Sequence, residues 1–420
     1  RYKRIMKVAI VGTGISGLTC AYILNRKHEV TMFEKNDYIG GHTHTHRVKD
    51  GESEVAVDSG FIVFNEKTYP NFIKLMDQLN VDRKKTSMGF SVKSISKNLE
   101  YAGNSLNSVF AQRLNFLRPS FLLMVYDILR FNKKAKKDLD SLGTSTTLGE
   151  YLSKNKFSNP FIENYIVPMG AAIWSTQADS ILQMPALFFI RFFKTHDLLQ
   201  VTDRSNWWVI EGGSSQYVSR MVKGFRSKIR LNSCIKSIKR TGKKVLILSE
   251  NDSKGEEFDK VIIATHSDQA LKMLDCPTKE EAQVLGALPY QRNSGLLHSD
   301  ESVLPSRRLA WSSWNYMLDK NSNQPVALTY NMNILQGLEA SKTFCVTLNS
   351  NESVSADRVI KELDYEHPLF TIEGFKSQKR KSEISGKNNT YYCGAYWHNG
   401  FHEDGVVSAL EVCSQFGLEL

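Results

Sequence analysis

Val8-Ala-Ile-Val11-Gly12-Thr-Gly14-Ile15-Ser16-Gly17-Leu-Thr-Cys-Ala-Tyr-Ile-Leu-Asn25, followed by Arg-Lys-His-Glu-Val30-Thr-Met-Phe33-Glu34, reads as strand, glycine turn, helix and strand. Val8 to Val11 form a short apolar run, Ile15 to about Asn25 a helical segment, and Val30 to Phe33 a second apolar run. Each glycine has a separate task in a nucleotide-binding βαβ unit. Gly12 permits the tight turn, Gly14 lets the backbone approach a pyrophosphate, and Gly17 lets the helix pack closely on the strand. The helix opening at Ile15 and Ser16 presents unpaired N–H groups to phosphate charge. Glu34 ends the second strand about 20 residues on, where its carboxylate accepts from the ribose hydroxyls of an adenosine. The stretch therefore predicts dinucleotide binding.

The segment after Glu34 selects the dinucleotide. Glu34-Lys35 leads within a few residues to Gly40-Gly41, then His42 and Thr43. A nicotinamide nucleotide needs only the first glycine turn, whereas FAD lies extended and needs a second close backbone approach. Val55 to Phe64 alternates toward a glycine, so Gly60, Phe61 and Ile62 are expected along the ribityl chain and flavin ring. No second GxGxxG is present for a nicotinamide partner. Ile235, in the strand-like run Ile229 to Ile238, and Ala264, at the end of the buried parallel strand Phe258 to Thr265, join the expected cofactor contacts. At the C-terminus, Tyr391 to Leu410 reads as strand, glycine loop and helix. Gly394, Asp404, Gly405 and Val406 belong to this end. A helix start near Gly405 offers free N–H groups to the pyrimidine edge of a reduced flavin. Asp404 serves either ribityl hydroxyls or its own helix as a cap. His42, His44 and His46 would share one face of a strand. With no carboxylate or cysteine close by, they read as locally satisfied polar groups rather than as metal ligands.

The chain has 420 residues, enough for two domains with substantial cores. Its net charge of +10 implies attraction to something anionic. No recognised nucleic-acid module accompanies that charge, and nucleic-acid binding is not expected. The six cysteines (Cys20, Cys234, Cys276, Cys345, Cys393, Cys413) are scattered, as suits free thiols in a reducing compartment. The basic start (Arg1, Lys3, Arg4) runs straight into the first strand, so no signal peptide is expected, and Met6 is read as a natural start. No apolar run approaches the ~20 residues of a membrane span. A cytoplasmic protein is expected, peripheral at most on the inner face of the cytoplasmic membrane.

Residues 70 to about 205 read as mainly helical, with an amphipathic stretch at Tyr69–Leu79 and a long apolar, basic stretch from Leu106 to Lys137 broken at Pro119. Phe121 to Tyr126 lies among Arg113, Arg118, Arg130, Lys133, Lys134, Lys136 and Lys137, and Met184 to Lys194 is a second apolar-basic segment. Such helices either lie on an anionic membrane surface or line a substrate cavity. Strand-like runs at Leu309–Met317, Val326–Met332 and Phe344–Leu348 suggest a second sheet. The expected fold is α/β: a Rossmann-type FAD-binding domain from 1–70, 206–288 and 385–420, interleaved with an α+β substrate domain from 71–205 (helical) and 289–384 (sheet-containing).

Longer motifs carry a resemblance. They are GGHTHT (Gly40 to Thr45), VDSGFIVFNEKTYPNF (Val57 to Phe72), PMGAAIWS (Pro168 to Ser175) and ATHSDQAL (Ala264 to Leu271). PYQRN (Pro289 to Asn293), AWSSWNY (Ala310 to Tyr316), YEHP (Tyr365 to Pro368) and GFHEDG (Gly400 to Gly405) extend it over nearly the whole chain. Together they resemble the flavin-containing amine oxidase superfamily, which includes phytoene-desaturase-type and protoporphyrinogen-oxidase-type enzymes. Within it, the chain is similar to a bacterial family of predicted FAD-binding oxidoreductases associated with cyclopropane-fatty-acyl-phospholipid synthases. The resemblance implies FAD and a substrate drawn from fatty acyl chains of membrane phospholipid. Two positions depart from pattern: His42 stands where the superfamily usually has arginine, and His398-Asn399 replaces the Gly-Tyr of the nearer family. The leading expectation is acyl-chain dehydrogenation, with hydride passing to flavin while a base takes the neighbouring proton. His402 is the first candidate base and Glu403 the alternate, against the plainer reading of a capped helix start. Amine oxidation, redox-neutral double-bond isomerisation and a non-catalytic role beside a lipid methyltransferase are the competing expectations.

Overall fold

In a computed structural model, the structure describes residues 4–200, 205–318 and 327–420. The stretch around Gly12 forms as its pattern predicts: strand Lys7–Val11, helix Ile15–Leu24 and strand Glu29–Phe33. Val8 to Val11 are buried on both faces, as a central parallel strand requires. Around it the order is Ile229–Arg230, Glu29–Phe33, Lys7–Val11, Lys260–Ile263 and Thr390–Tyr392, all parallel. Chain segments far apart in sequence thus converge on one sheet. The first helix is buried along nearly its whole length, because the C-terminal helix His402–Gln415 lies directly on it. The two share a core with Val8, Ile10, Leu18 and Val406.

The second large sheet has seven strands in the order Val359–Pro368, Tyr290–His298, Cys345–Leu348, Ala327–Asn331, Trp314–Met317, Phe90–Ser94 and Leu99–Ala102. Helices Pro119–Asp138, Val167–Trp174 and Ala186–Thr195 pack beside it around an aromatic core that includes Phe131, Phe161, Phe189 and Trp174.

Several elements differ from the sequence reading. The region 70–205 is not simply helical: it contains strands Arg83–Thr86, Phe90–Ser94 and Leu99–Ala102. The last two form a hairpin whose turn places Asn98 at φ +43°, a conformation asparagine tolerates better than most residues. The run Ile229–Ile238 is two strands in different sheets, broken where Asn232 takes φ +50°. The stretch Leu106–Lys137 divides into helix Leu106–Val109, a 3-10 turn at Arg113–Leu117 and helix Pro119–Asp138, with Pro119 at the first helical position. The C-terminal helix opens at His402, so Gly405 lies within its first turn. Asp252–Phe258, a polar strand without alternation, completes an antiparallel meander with Ile235–Arg240 and Val245–Ser249. Val326 falls outside the described residues. No helix among the described residues is long and apolar enough to cross a membrane.

Candidate cofactor and active site

The glycine turn is shaped by its neighbour Ala264. Gly12 sits at φ +101°, and a Cβ there would stand 2.7 Å from the Ala264 carbonyl oxygen. A Cβ on Gly17 would collide with the Gly12 carbonyl. Gly14 differs: a Cβ there would meet nothing within 4 Å. The helix beyond it has no side-chain cap and no acid in its first turn, which leaves its first N–H groups without a side-chain acceptor beside the open space at Gly14. Gly41 covers this space from the other side, since its Cβ would lie 3.0 Å from the Gly14 Cα. Gly40 and Gly41 take φ +134° and +59°, and Thr43 N–H donates to Gly40 O at 3.0 Å to close their turn.

Glu34 is buried and already receives three donors: Thr13 N–H at 3.0 Å, the Thr13 hydroxyl at 2.6 Å and Asn36 N–H at 2.9 Å. A carboxylate has about four acceptor sites, leaving one for a ribose hydroxyl. Lys35 is exposed beside it. Ser233 N–H donates to Glu34 O at 2.8 Å, and Ile235, two residues further on, is buried in the core with Val11 and Phe33. An uncapped helix start over a glycine, a second glycine pair against it and a buried ribose-type acid suit the adenosine diphosphate half of FAD.

The residues expected on the flavin side gather where the C-terminal helix meets this turn. Ser16 Oγ donates to Gly405 O at 2.9 Å, and a Cβ on Gly405 would stand 2.7 Å from Ile15 Cγ2. Gly60 packs on the His42 backbone with no room for a side chain, and Phe61 N–H donates to His42 O at 2.8 Å. Phe61 then stacks on the His402 ring, centroids 3.6 Å apart and nearly parallel. His402 Nε2 lies 2.9 Å from the Tyr217 hydroxyl and 3.1 Å from Thr43 Oγ1. Burial, and secondly His42, holds this imidazole well below its ordinary range, so it is neutral at pH 7. Ser408 Oγ accepts from Gly394 N–H at 3.1 Å. Ile62 and Val406 are core residues on either side of this junction.

The two acids that follow His402 are structural ties. Glu403 accepts from Asn71 N–H at 3.1 Å, Asn71 Nδ2 at 2.7 Å and Phe72 N–H at 2.8 Å, capping helix Pro70–Gln78. Burial raises its carboxyl. Asp404 accepts from Phe401 N–H at 2.8 Å, the capping alternative of the two expected for it, and burial pushes it up to about 6.

The structure also assembles a group that spacing did not reveal. His42, His266 and His367 face one another, with His42 5.5 Å from His367, 6.1 Å from His266 and 5.4 Å from the Tyr365 ring. His266 stacks on Tyr290, and His367 Nδ1 is 2.7 Å from Asn293 Nδ2. Burial pushes His266 and His367 down to about 3, helped by their mutual proximity to His42, and lowers His42 as well. His42 Nε2 is buried with no partner among the described residues. Three neutral imidazoles thus pack together around the position where the superfamily usually has an arginine. His266 and His367 come from ATHSDQAL and YEHP, and those motifs were their only signal in the sequence. His44 stacks on Tyr38, and His46 Nε2 bonds Ser59 Oγ at 2.7 Å. Among the described residues, no three or more His, Cys, Asp or Glu side chains, this histidine group included, are placed so that they could hold a metal ion.

A cavity of about 360 Å³ opens beside the loop leading to the C-terminal helix. Phe188, Phe375 and Trp397 form its apolar wall, and Arg191 and Lys379 add two cations. Gln378 Nε2 holds the loop through the carbonyls of Tyr396 (2.8 Å) and His398 (2.6 Å).

Comparison with known proteins agrees with this geometry. Residues 15–296 match the model of the flavin containing amine oxidoreductase family. A 15-cis-phytoene desaturase of Synechococcus elongatus is 33% identical over 78 residues, 18% of this chain and 16% of that enzyme, well short of two-thirds of its length. Cyclohexylamine oxidase from Brevibacterium oxydans superposes with a TM-score of 0.69 over 99% of this chain and 100% of its own, at 15% identity. A CLA-producing fatty acid isomerase from P. acnes does so with a TM-score of 0.67 over 98% of both chains, at 14% identity. At such identities the structural likeness establishes the fold. With the glycine cradle, the ribose acid and the family match together, the chain belongs to the flavin-containing amine oxidoreductases, with FAD as its cofactor.

Proposed function

We propose that this oxidoreductase acts on fatty acyl chains of membrane phospholipid, removing hydrogen from adjacent carbons to form a double bond. The cavity beside Trp397 carries this reading: its apolar aromatic wall suits an alkyl chain, and Arg191 and Lys379 suit its carboxylate or phosphate end. The same two cations repel an ammonium, which counts against amine oxidation. The fold shared with a fatty acid isomerase is in keeping with an acyl substrate. FAD, when bound, supplies the hydride acceptor. The protein would supply a cavity with an aromatic wall and a base for the departing proton. Glu403 has both carboxylate oxygens committed to backbone and side-chain donors of helix Pro70–Gln78, so of the two candidates we assign the proton to the neutral His402 imidazole, reached through the Tyr217 or Thr43 hydroxyl bonded to its Nε2.

The test is acyl-chain mass spectrometry after incubating the FAD-loaded protein with phospholipid under oxygen. Desaturation predicts products two mass units lighter. Unchanged mass with a moved double bond identifies an isomerase instead, and hydrogen peroxide released from amines but not from lipid refutes the proposal. Reversing Arg191 or Lys379 to glutamate should raise KM for the acyl substrate with kcat little changed, because these cations are proposed to hold only its anionic end.

A further inference from the structure

We infer that the surface formed by residues 95–137 docks the protein onto an anionic lipid bilayer. Among the described residues, eight exposed large hydrophobic side chains fall between Leu106 and Leu129: Leu106, Leu114, Phe116, Leu117, Leu122, Leu123, Tyr126 and Leu129. Leu106 and Leu117 are 82% and 79% exposed. Two more join them in space. Arg118 Nη1 donates to Asn98 O at 2.7 Å and draws in the turn bearing Ile95, while the Arg308–Ala310 turn bearing Leu309 packs on helix Leu106–Val109. Only Ile5 and Ile360, of the exposed large hydrophobics among the described residues, lie elsewhere. Scattered exposed apolar residues are ordinary, but a contiguous group of this kind marks an interaction surface.

This surface is rigid rather than a loose flap. The inner face of helix Pro119–Asp138 buries Phe121, Met124, Phe131 and Ala135 in the aromatic core. Buried Asp127 accepts from Ser158 N–H at 2.8 Å and pairs with Arg130 at 2.8 Å, fixing the helix to the loop after Lys154. The outer face carries Leu122, Leu123, Tyr126 and Leu129 in its first half and Lys133, Lys136 and Lys137 in its second. At 1.5 Å rise per residue, Leu122 and Leu129 lie about 10 Å apart along the axis and Lys133 about 6 Å beyond. That spacing lets the leucine end enter the acyl boundary to the ~5–10 Å usual for interfacial helices while the lysines reach the headgroups.

The charge selects the occupant. Lys133, Lys136 and Lys137 form no ion pair among the described residues, and Arg113 bonds only the Phe110 carbonyl and the Asn107 side chain. Cations ringing an apolar face suit an anionic lipid surface, and the net charge of +10 adds long-range attraction. A second copy of this chain would bring the same lysines into apposition. The inference rests on the surface alone: vesicle binding and flavin reduction are separate measurements, and either can fail without the other.

The FAD-loaded protein is sedimented with phosphatidylcholine vesicles, with and without phosphatidylglycerol. Binding is expected to require phosphatidylglycerol and to fall at high salt. Changing Lys133, Lys136 and Lys137 to glutamine should weaken it roughly 100-fold, taking about 1 kcal/mol per lysine. Leu117→Glu with Leu122→Glu should abolish it while FAD loading stays intact. An environment-sensitive fluorophore on Leu117→Cys should shift to the blue when anionic vesicles are added, which needs no destabilising substitution. Failure of the unaltered protein to bind either vesicle overturns the inference, as does binding that survives the double leucine substitution. A dimer dispersed by Leu117→Glu, with no vesicle binding, would instead make this face a contact between copies.

Discussion

Alanine at Gly14 and alanine at Gly17, three residues apart in one turn, should fail in opposite ways. At Gly14 the backbone has φ −66° and ψ 176°, open to any residue, and a methyl group would meet nothing within 4 Å. The apo fold should tolerate Gly14→Ala and gain about 0.4–1 kcal/mol from a less flexible unfolded chain. The space that methyl enters is the space assigned to the pyrophosphate. FAD affinity should therefore fall at least 100-fold, about 2.8 kcal/mol. At Gly17 the added Cβ falls far inside the 3.4 Å at which ordinary contact begins, and the obstacle is the Gly12 carbonyl rather than a flexible side chain. The first helix must move off its strand, at a cost of about 1–3 kcal/mol or more. Helix propensity returns about 1 kcal/mol of this. The apo protein carrying Gly17→Ala should melt earlier. Thermal melts of both apo variants and FAD titrations followed by flavin fluorescence read the two effects apart. A Gly14→Ala protein that binds FAD with unaltered affinity would refute the reasoning, because the open space would then not be the cofactor's.

Other outcomes rest on the same geometry. Glu403→Gln should lower the melting temperature, since it weakens the cap on helix Pro70–Gln78, yet leave kcat within a few-fold; a collapse of kcat with unchanged stability would make Glu403 the base. Arg240 and Glu281 form a buried bidentate pair at 2.6 and 3.1 Å, with the Tyr392 hydroxyl on Glu281 at 2.7 Å. Glu281→Ala strands the guanidinium and should destabilise the protein by about 3–5 kcal/mol in chemical denaturation, and Arg240→Met added to it should recover part of that loss. The apo protein should also be acid-labile. His266 and His367 titrate near 3 in the folded state, and His46, His196 and His298 near 4, so the unfolded chain binds more protons below its histidine range near 6.5. Stability should fall as pH drops from about 6.5 toward 4. Asp58 and Asp404, raised to about 6, act in the opposite direction over the same interval but are fewer. A melting temperature that holds or rises on acidification from pH 7 to about 5 would contradict this balance.

The adenosine half of the site is legible because it is local. Gly12, Gly14, Gly17 and Glu34 lie within one βαβ unit, where each residue's task follows from the turn it makes. The second glycine pair is legible for the same reason. The C-terminal contribution is readable only as a type of element: a helix start after a glycine loop. Which of His402, Glu403 and Asp404 faces inward depends on the neighbours that reach each one. Glu403 is claimed by the N-terminus of a helix more than 300 residues away, which spacing does not reveal. The histidine group at 42, 266 and 367 exists only after the parallel sheet and the seven-stranded sheet have brought three segments together. The hairpin at Phe90–Ala102 is hidden in a stretch dominated by helical periodicity, because its strands are four or five residues long and end at an asparagine turn. The apolar-basic segment around Phe121 is visible in the sequence, but its two faces part only in the fold: Phe121 turns to the core and Leu122 and Leu123 to the outside.

The central claim, a flavin that takes hydrogen from an acyl chain, is tested most directly by anaerobic reduction. The FAD-loaded protein is mixed under nitrogen with a phospholipid acyl fraction or with a panel of amines, and the flavin absorbance is followed. Bleaching is expected with the acyl fraction and none with amines, at a rate that collapses in His402→Gln while FAD remains bound. Bleaching by an amine and none by any acyl fraction would contradict it.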